Sequence, residues 1–307
     1  MMGFWKKRTK PIINTELYSA LLNGREINIV DGGSSNVIFE PFDCLRRNAV
    51  IYMFEPNQEM EKYTSNVRTV GMDSALWNDN EGVVIHIAAE PTTSSVYPPN
   101  KYLLSKFQDH IGYPARKTTK RVKVPSMSID SAVNNQLCPV PDFIKLDVHS
   151  SEYEALEGAN NALEHCSAVL VETWHSPIHS GQHLHGEIEH YLNKKGLFLF
   201  DMHLRSKWNY RNTRNLNAWD RHRLVGSEGI FFREEYKNEN IIIALGLLDL
   251  FQYTGPALDL LEHNEATKSF KHEMRKELLY LNRKTMYYKM IYNLYQCFEK
   301  IKSNYIS

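Results

Sequence analysis

Three short strings in this chain carry residues with chemical uses. Asn28 to Asn36 reads NIVDGGSSN, Tyr52 to Pro56 reads YMFEP, and Asp142 to Ala159 reads DFIKLDVHSSEYEALEGA. In the first, an apolar run stops at Asp31 and the pair Gly32-Gly33, whose missing Cβ atoms let backbone come close to a ligand. In the second, Glu55 stands at the tip of the next apolar run, 24 positions after Asp31, where a carboxylate can accept from both hydroxyls of a ribose. Either a nucleoside pocket follows, or an ordinary strand-turn-helix junction of a parallel sheet.

A dinucleotide site asks for G-x-G-x-x-G, with a helix N-terminus facing the pyrophosphate. The turn here reads Gly32-Gly33-Ser34-Ser35-Asn36-Val37 and lacks the last glycine. S-adenosylmethionine (SAM) has no phosphate to cradle. It needs a tight turn with polar side chains for its amino-acid end, which Ser34, Ser35 and Asn36 supply, and an acid for its ribose. A methyl donor is therefore the first expectation, with an NAD-dependent sugar-modifying enzyme as a rival.

The third string places charges in and after an apolar run. Ligands of open α/β sheets lie beyond the carboxyl ends of the strands, where Asp147 and His149 project, and buried charge is costly unless paired or used. Lys145 and Asp147 form either a structural pair or, with His149 and Glu172 of the run LVETWHS, a catalytic set. His149 is the candidate base for an acceptor proton, because imidazole titrates near neutrality. Alternatively Asp147, Glu172 and His175 hold a divalent ion such as Mg²⁺ that lowers the acceptor's pKa. His175, His179, His183, His185 and His190 crowd one segment, read as an acceptor-binding loop or as solvated surface. Trp174, Trp208 and Tyr210 offer flat apolar faces to a sugar ring, or simply pack.

The elements that must position these groups alternate. A helix over 15–23, capped by Thr15 or Asn14, leads the chain. Strands are expected at Asn28–Val30, Val50–Phe54, Val67–Gly71, Val83–Ala88, Phe143–Leu146, Ala168–Glu172, Leu197–Met202 and Gly229–Phe232, with helices between them. Glu152 to Leu156 begin a helix that Gly158 closes. The Thr-, Ser-, Pro- and Lys-rich stretch 92–124 reads as loops over the sheet edge. This is an α/β pattern, a parallel sheet with helices on both faces, in three parts: a lead-in over 1–26, a catalytic domain over 27–233 and a helical extension over 234–307. The extension, whose apolar and tyrosine positions recur at helical spacing, packs on the domain or joins a homo-oligomer.

Composition narrows the classes. The 307 residues carry 36 basic and 36 acidic side chains, so no electrostatic footprint for nucleic acid is present. Cys44, Cys138, Cys166 and Cys297 are scattered without C-x-x-C spacing, as suits a reducing cytoplasm. The basic start at Lys6 to Lys10 lacks the apolar core of a signal peptide. The apolar stretch 241–251 is too short to span a bilayer and contains Asp249.

Taken in order from about residue 27 to 233, these strings resemble the FkbM-type SAM-dependent methyltransferases. The resemblance rests on IVDGGSSN, FEPN at Phe54 to Asn57, ALWNDNEG at Ala75 to Gly82, Ser94-Ser95-Val96, VPSMSID at Val124 to Asp130, and above all DFIKLDVHSSEYEALEGA. It implies a Rossmann-like class I methyltransferase sheet and methyl transfer to an oxygen of a sugar, glycan or related small molecule. It also implies a cofactor site that adds Pro56, Asn57 and Ala75 to the residues above. Two departures stand out. The family's first turn resembles D-x-G-A-N-x-G, whereas Ser34-Ser35 and Val37 stand here. Its D-V-E-G is Asp147-Val148-His149-Ser150, which changes the acceptor or marks a member that binds without turnover.

Overall fold

Side chains alternate across a strand, so the apolar runs of this chain bury both faces of a sheet at once. The computed structural model describes residues 10–34, 37–56, 67–213, 222–282, 290–291 and 293–294. The chain enters through α1 (Glu16–Leu22), where Thr15 Oγ1 accepts from Tyr18 N at 3.2 Å, as expected of that helix and cap. β1 (Ile27–Gly32), β2 (Ala49–Phe54) and β3 (Arg68–Met72) follow. An excursion then carries β4 (Ala75–Leu76), β5 (Val83–Ala88), α2 (Lys101–Leu104), α3 (Tyr113–Arg116), β6 (Thr118–Val124) and β7 (Ser126–Met127). The chain returns through α4 (Ile129–Asn134), β8 (Phe143–Leu146), α5 (Glu152–Glu157), β9 (Ala168–Trp174), α6 (His185–Lys194), β10 (Leu197–Trp208) and β11 (Arg223–Arg233). α7 (Ile241–Leu250) and α8 (Thr254–His263) come after, with further helical backbone at 271–282.

Seven strands form one sheet in the order β10-β11-β9-β8-β1-β2-β3. β11 runs antiparallel to both neighbours, and the remaining pairings, from β9 to β3, are parallel. The order reverses between β1 and β8, which opens a crevice beyond their carboxyl ends.

Strand parity sorts the core. Ile27, Ile29, Ile51, Phe143, Leu170, Ile230 and Phe232 face one layer with Tyr18 of α1, α7 and α8, while Val30, Val50, Ile144, Val169 and Phe231 face the other with α4, α5 and α6. Each such side chain removed from water contributes roughly 1.5–3 kcal/mol. α7 is buried nearly all round, as a helix with no polar face must be. Its single acid, Asp249, accepts from Ile12 N at 2.8 Å. The helical extension thus shares one core with the sheet over its described part. Among the described residues no helix is long and apolar enough to cross a membrane.

Three expectations change. The stretch 92–124 is not loop throughout: β6 pairs antiparallel with β5, and α2 and α3 precede it. β6 offers only Val122 and Val124, half-buried and alternating with exposed Arg121 and Lys123, too short an apolar alternation to read as a strand. Val83–Ala88 is a strand but belongs to that ribbon, outside the main sheet. β10 and β11 run well past their expected ends, to Trp208 and from Arg223.

Candidate active site at the carboxyl edge of the sheet

Asp31 and Lys145 have the same parity on adjacent strands and are register partners, so both enter one face side by side. Lys145 Nζ lies 2.8 Å from Asp31 Oδ1, and both side chains are almost wholly buried. Burial pushes the Asp31 carboxyl up and Lys145 opposes it. Burial also works against the Lys145 ammonium, but Asp31 and Asp147 outweigh it, and the lysine keeps its charge. This pair is the floor of the crevice.

Gly33 follows with φ +77°, and a Cβ there would stand 2.0 Å from the Asp147 carbonyl oxygen. Only glycine satisfies both the left-handed backbone and that approach. Its N–H donates to the Phe54 carbonyl at 3.1 Å, so the turn ties β1 to β2 and offers no donor to a ligand at this residue.

Above the floor, the chain leaving β8 turns through His149 (φ +58°) and Ser150 (φ +84°). Neither residue favours that region, and such conformations persist only where surroundings fix them. Here Glu152 accepts from Val148 N at 3.1 Å and Ser150 N at 3.2 Å, and Ser150 Oγ meets His179 Nδ1 at 2.8 Å. Burial pushes the Glu152 carboxyl up, to about 8, against the pull of those bonds.

The turn delivers His149 between two charges. Arg116 Nη1 lies 3.0 Å from Nε2, and Glu172 Oε2 lies 3.6 Å from Nδ1. Burial, then Arg116, lowers the imidazole pKa to about 3. Guanidinium only donates, so Nε2 must be the acceptor and Nδ1 carries the proton toward Glu172. Arg116 is itself buried, its guanidinium 4.8 Å from the Trp208 ring and 5.9 Å from Trp174. Burial lowers its pKa to about 10, with Glu172 opposing, so it stays cationic at neutral pH.

A cavity of about 480 Å³ opens over this rim. Gly33, Phe54, Glu55, Pro56, Ala75 and Leu76 line one end; Asp147, His149, Glu172, Trp174 and Arg116 line the other. The run Pro91 to Val96 and Ser206 complete its wall. Two groups of opposite use, a nucleoside-type end and a charged end, therefore share one chamber of the size that small-molecule sites occupy.

Residues 28–199, more than half of the chain, match the methyltransferase FkbM domain. The chain belongs to the FkbM methyltransferase family. Its fold is accordingly the Rossmann-like class I methyltransferase sheet. Among solved structures, the FkbM methyltransferase of Methylobacillus flagellatus KT is similar at 15% identity and TM-score 0.37, over 72% of this chain and 48% of that one. Magnesium protoporphyrin IX methyltransferase of Synechocystis PCC 6803, with bound SAM, is similar at 11% identity and TM-score 0.33, over 72% of this chain and 78% of that one. A 1,6-didemethyltoxoflavin-N1-methyltransferase of Burkholderia thailandensis with S-adenosylhomocysteine is similar at 9% identity and TM-score 0.30, over 74% and 80%. This chain spans about half the length of the Methylobacillus relative. No curated protein matches it significantly.

The FkbM domain brings Gly33, Glu55, Pro56, Ala75, Asp147, His149 and Glu172 to one cavity, while Asp31, Gly32, Ser34 and Lys145 lie outside its lining. Ser35, Asn36 and Asn57 fall outside the described residues. The residues present fit SAM on two counts. Glu55 opens into the cavity at the tip of β2, and Ser34 Oγ, buried at the glycine turn, has no hydrogen-bond partner among the described residues.

Other expectations are corrected by contacts. Lys145, expected beside Asp147, forms its ion pair with Asp31 at 2.8 Å, and Asp147 adds to the field that keeps it charged. His149, expected as base, has Nε2 occupied by Arg116 and a proton on Nδ1, which leaves no lone pair for an acceptor's proton. His175, expected as a metal ligand, bonds Ser227 Oγ at 2.7 Å. The three groups within 4.8 Å of one another are Asp147, His149 and Glu172. They do not suit Mg²⁺, which prefers oxygen ligands; Nδ1 would also have to pass its proton to Nε2, against the Arg116 guanidinium. The histidine-rich segment makes separate contacts: His179 with Ser150, His183 stacked 3.9 Å from Tyr153, and His185 3.5 Å from Glu189. Trp174 lines the cavity, whereas Trp208 and Tyr210 pack on Phe107 behind it. Gly158 ends α5 with an ordinary helical φ of −69°, and its need is space, since a Cβ would stand 2.2 Å from the Trp77 carbonyl oxygen. Arg116 was not foreseen. It sits among Lys117, Lys120 and Arg121, and nothing in the string distinguishes it.

Proposed function

We propose that this FkbM methyltransferase transfers a methyl group from SAM to a hydroxyl oxygen of a sugar, glycan or related small polyol. The observation that carries this reading is one cavity with Glu55 at one end and, at the other, the Asp147 carboxylate, the Trp174 ring and a wall of Thr92, Thr93, Ser94 and Ser95. An aromatic face beside clustered hydroxyls is suited to a polyol, whose rings present apolar faces and many donors.

Glu55 would hold the ribose hydroxyls of SAM, with Pro56, Ala75 and Leu76 as an apolar bed for the nucleoside. SAM supplies, when bound, a methyl group on a positively charged sulfur, already activated for displacement. The chain's task is alignment, worth about 7–11 kcal/mol of the barrier, and removal of the acceptor's proton. Asp147, at the acceptor end of the cavity, would take that proton on a carboxylate oxygen. Glu172 and Arg116 hold His149 in one tautomer, and the ring packs T-shaped on Trp174, with centroids 5.5 Å apart, so that the acceptor end keeps its shape.

Transfer from methyl-labelled SAM to a panel of sugars, glycans and nucleotide sugars, with and without EDTA, tests this. Label should reach a hydroxyl oxygen with no loss on chelation. Asp147→Asn should lower kcat by about 10²–10⁴ while calorimetry shows SAM binding retained. Methylation of nitrogen or carbon acceptors alone, or NADH binding in place of SAM, would overturn the reading.

A further inference from the structure

Arg116 holds more hydrogen-bonding capacity than the protein uses. Nε donates to the Ile111 carbonyl at 3.1 Å and Nη1 meets His149, while the remaining N–H groups of this guanidinium have no hydrogen-bond partner among the described residues. The side chain is only 7% exposed, yet it lines the cavity. A buried cation with spare donors is costly unless something outside the chain completes its shell. Glu172, the carboxylate that favours the charge of Arg116, lies against the other ring nitrogen of His149, so the imidazole contacts both charges.

The sequence that follows continues the charge. From His110 to Ile129 there is no acid, while Arg116, Lys117, Lys120, Arg121 and Lys123 are all basic. The last four are exposed and form no ion pair among the described residues. Whole-chain neutrality hides this stripe. It is also joined to the cavity: Ala89 N donates to the Lys117 carbonyl at 3.0 Å and Glu90 N to the Ala115 carbonyl at 2.8 Å, directly before the Pro91 to Val96 wall. Glu90 is the one acid of that junction, and its carboxylate accepts from Thr92 Oγ1 at 3.2 Å.

From this juxtaposition we infer that the acceptor carries an oxyanion, a carboxylate or a phosphate, which Arg116 binds inside the cavity and β6 attracts from outside. The inference rests on the proposed hydroxyl methylation and adds the substrate's charge. Guanidinium is matched to planar or tetrahedral oxyanions because two parallel N–H groups meet two oxygens. The anion sits at the Arg116 end, and the hydroxyl to be methylated reaches Asp147.

Matched probes test it: glucuronate for the carboxylate, glucose 1-phosphate for the phosphate, and glucose as the neutral partner, each with SAM for turnover and with S-adenosylhomocysteine for binding. One or both charged probes should exceed glucose by about tenfold or more in kcat/KM and in affinity, and which one does so identifies the anion. Arg116→Gln should remove that ratio and Arg116→Lys should restore only part of it. The surface variant with Lys120, Arg121 and Lys123 all changed to Gln keeps the ratio but flattens its dependence on salt. Equal handling of charged and neutral probes, or an equal loss for both in Arg116→Gln, overturns the inference while leaving hydroxyl methylation standing. Tighter binding of a charged probe, abolished by Arg116→Gln, with no turnover of any probe, supports the anion site and counts against the proposed reaction.

Discussion

Two buried charge groups lie at the same sheet edge and meet different fates. In the floor, Asp31 and Lys145 are register neighbours that bond each other at 2.8 Å, away from the cavity. In the rim, Arg116, His149 and Glu172 form a row across three separate elements and open into it. The first pair closes on itself and fixes how β1 meets β8. The second keeps donors unspent and depends on a strained turn. Burial of charge alone therefore does not separate the two groups; what does is that Arg116 keeps guanidinium donors unspent beside a chamber.

The sharpest way to break this contrast is Gly33→Ala, which puts a methyl group into the Asp147 carbonyl and strains φ as well. It should cost more than about 4 kcal/mol, the exceptional range for one substitution, and abolish SAM binding; calorimetry and urea unfolding measure both. Lys145→Met leaves Asp31 buried alone and should cost about 3–5 kcal/mol, whereas adding Asp31→Leu should restore most of it. A double variant no more stable than the single one would show that the floor does more than close on itself.

Acid pH probes the rim. The pKa values of His149 and His179 are lowered to about 3 and about 2, in each case first by burial, so the unfolded chain takes up their protons from 6.5 downward. Their contribution is complete above about pH 6.5 and falls as pH drops, by about 1.4 kcal/mol per unit for each histidine. Glu152 acts in the opposite sense, with stability lost as pH rises from 4.5 toward about 8. The difference between wild type and His149→Asn isolates the histidine, and unfolding series from pH 4 to 7 should show the variant's acid limb flattened. The smallest effect concerns Ser150→Gly. Strain relief of about 1 kcal/mol is outweighed by His179 losing its partner, about 1–3 kcal/mol, so the variant should be slightly less stable by thermal melting. A gain in stability would mean that the strain exceeds the bond.

The floor was legible only in its parts, Asp31 at the end of one apolar run and Lys145 within another; the string suggested Lys145 beside Asp147, and the register of β1 against β8 pairs it with Asp31 instead. Glu55, Asp147 and Glu172 were legible in the same way, each standing at or near the end of a readable strand. The rim was not. Arg116 reaches His149 from the helix that leads into Thr118–Val124, a strand whose apolar face is only Val122 and Val124. The contact that sets the tautomer of His149 was hidden for that cause, since it comes from a neighbour 33 positions away. Gly158 and Gly33 were noticed as glycines, but the atoms that forbid a Cβ belong to distant backbone.

The position of β11 has a consequence for how the molecule is made. It is the last strand of the sheet to leave the ribosome, yet it inserts between β9 and β10, and α7, which covers one face, comes later still. A nascent chain ending near residue 222 therefore has β9 and β10 with a vacant slot between them, and its N-terminal Ile12 waits for Asp249. Closure is a late, long-range event of the kind that slows folding and prolongs exposure of unpaired strand edges.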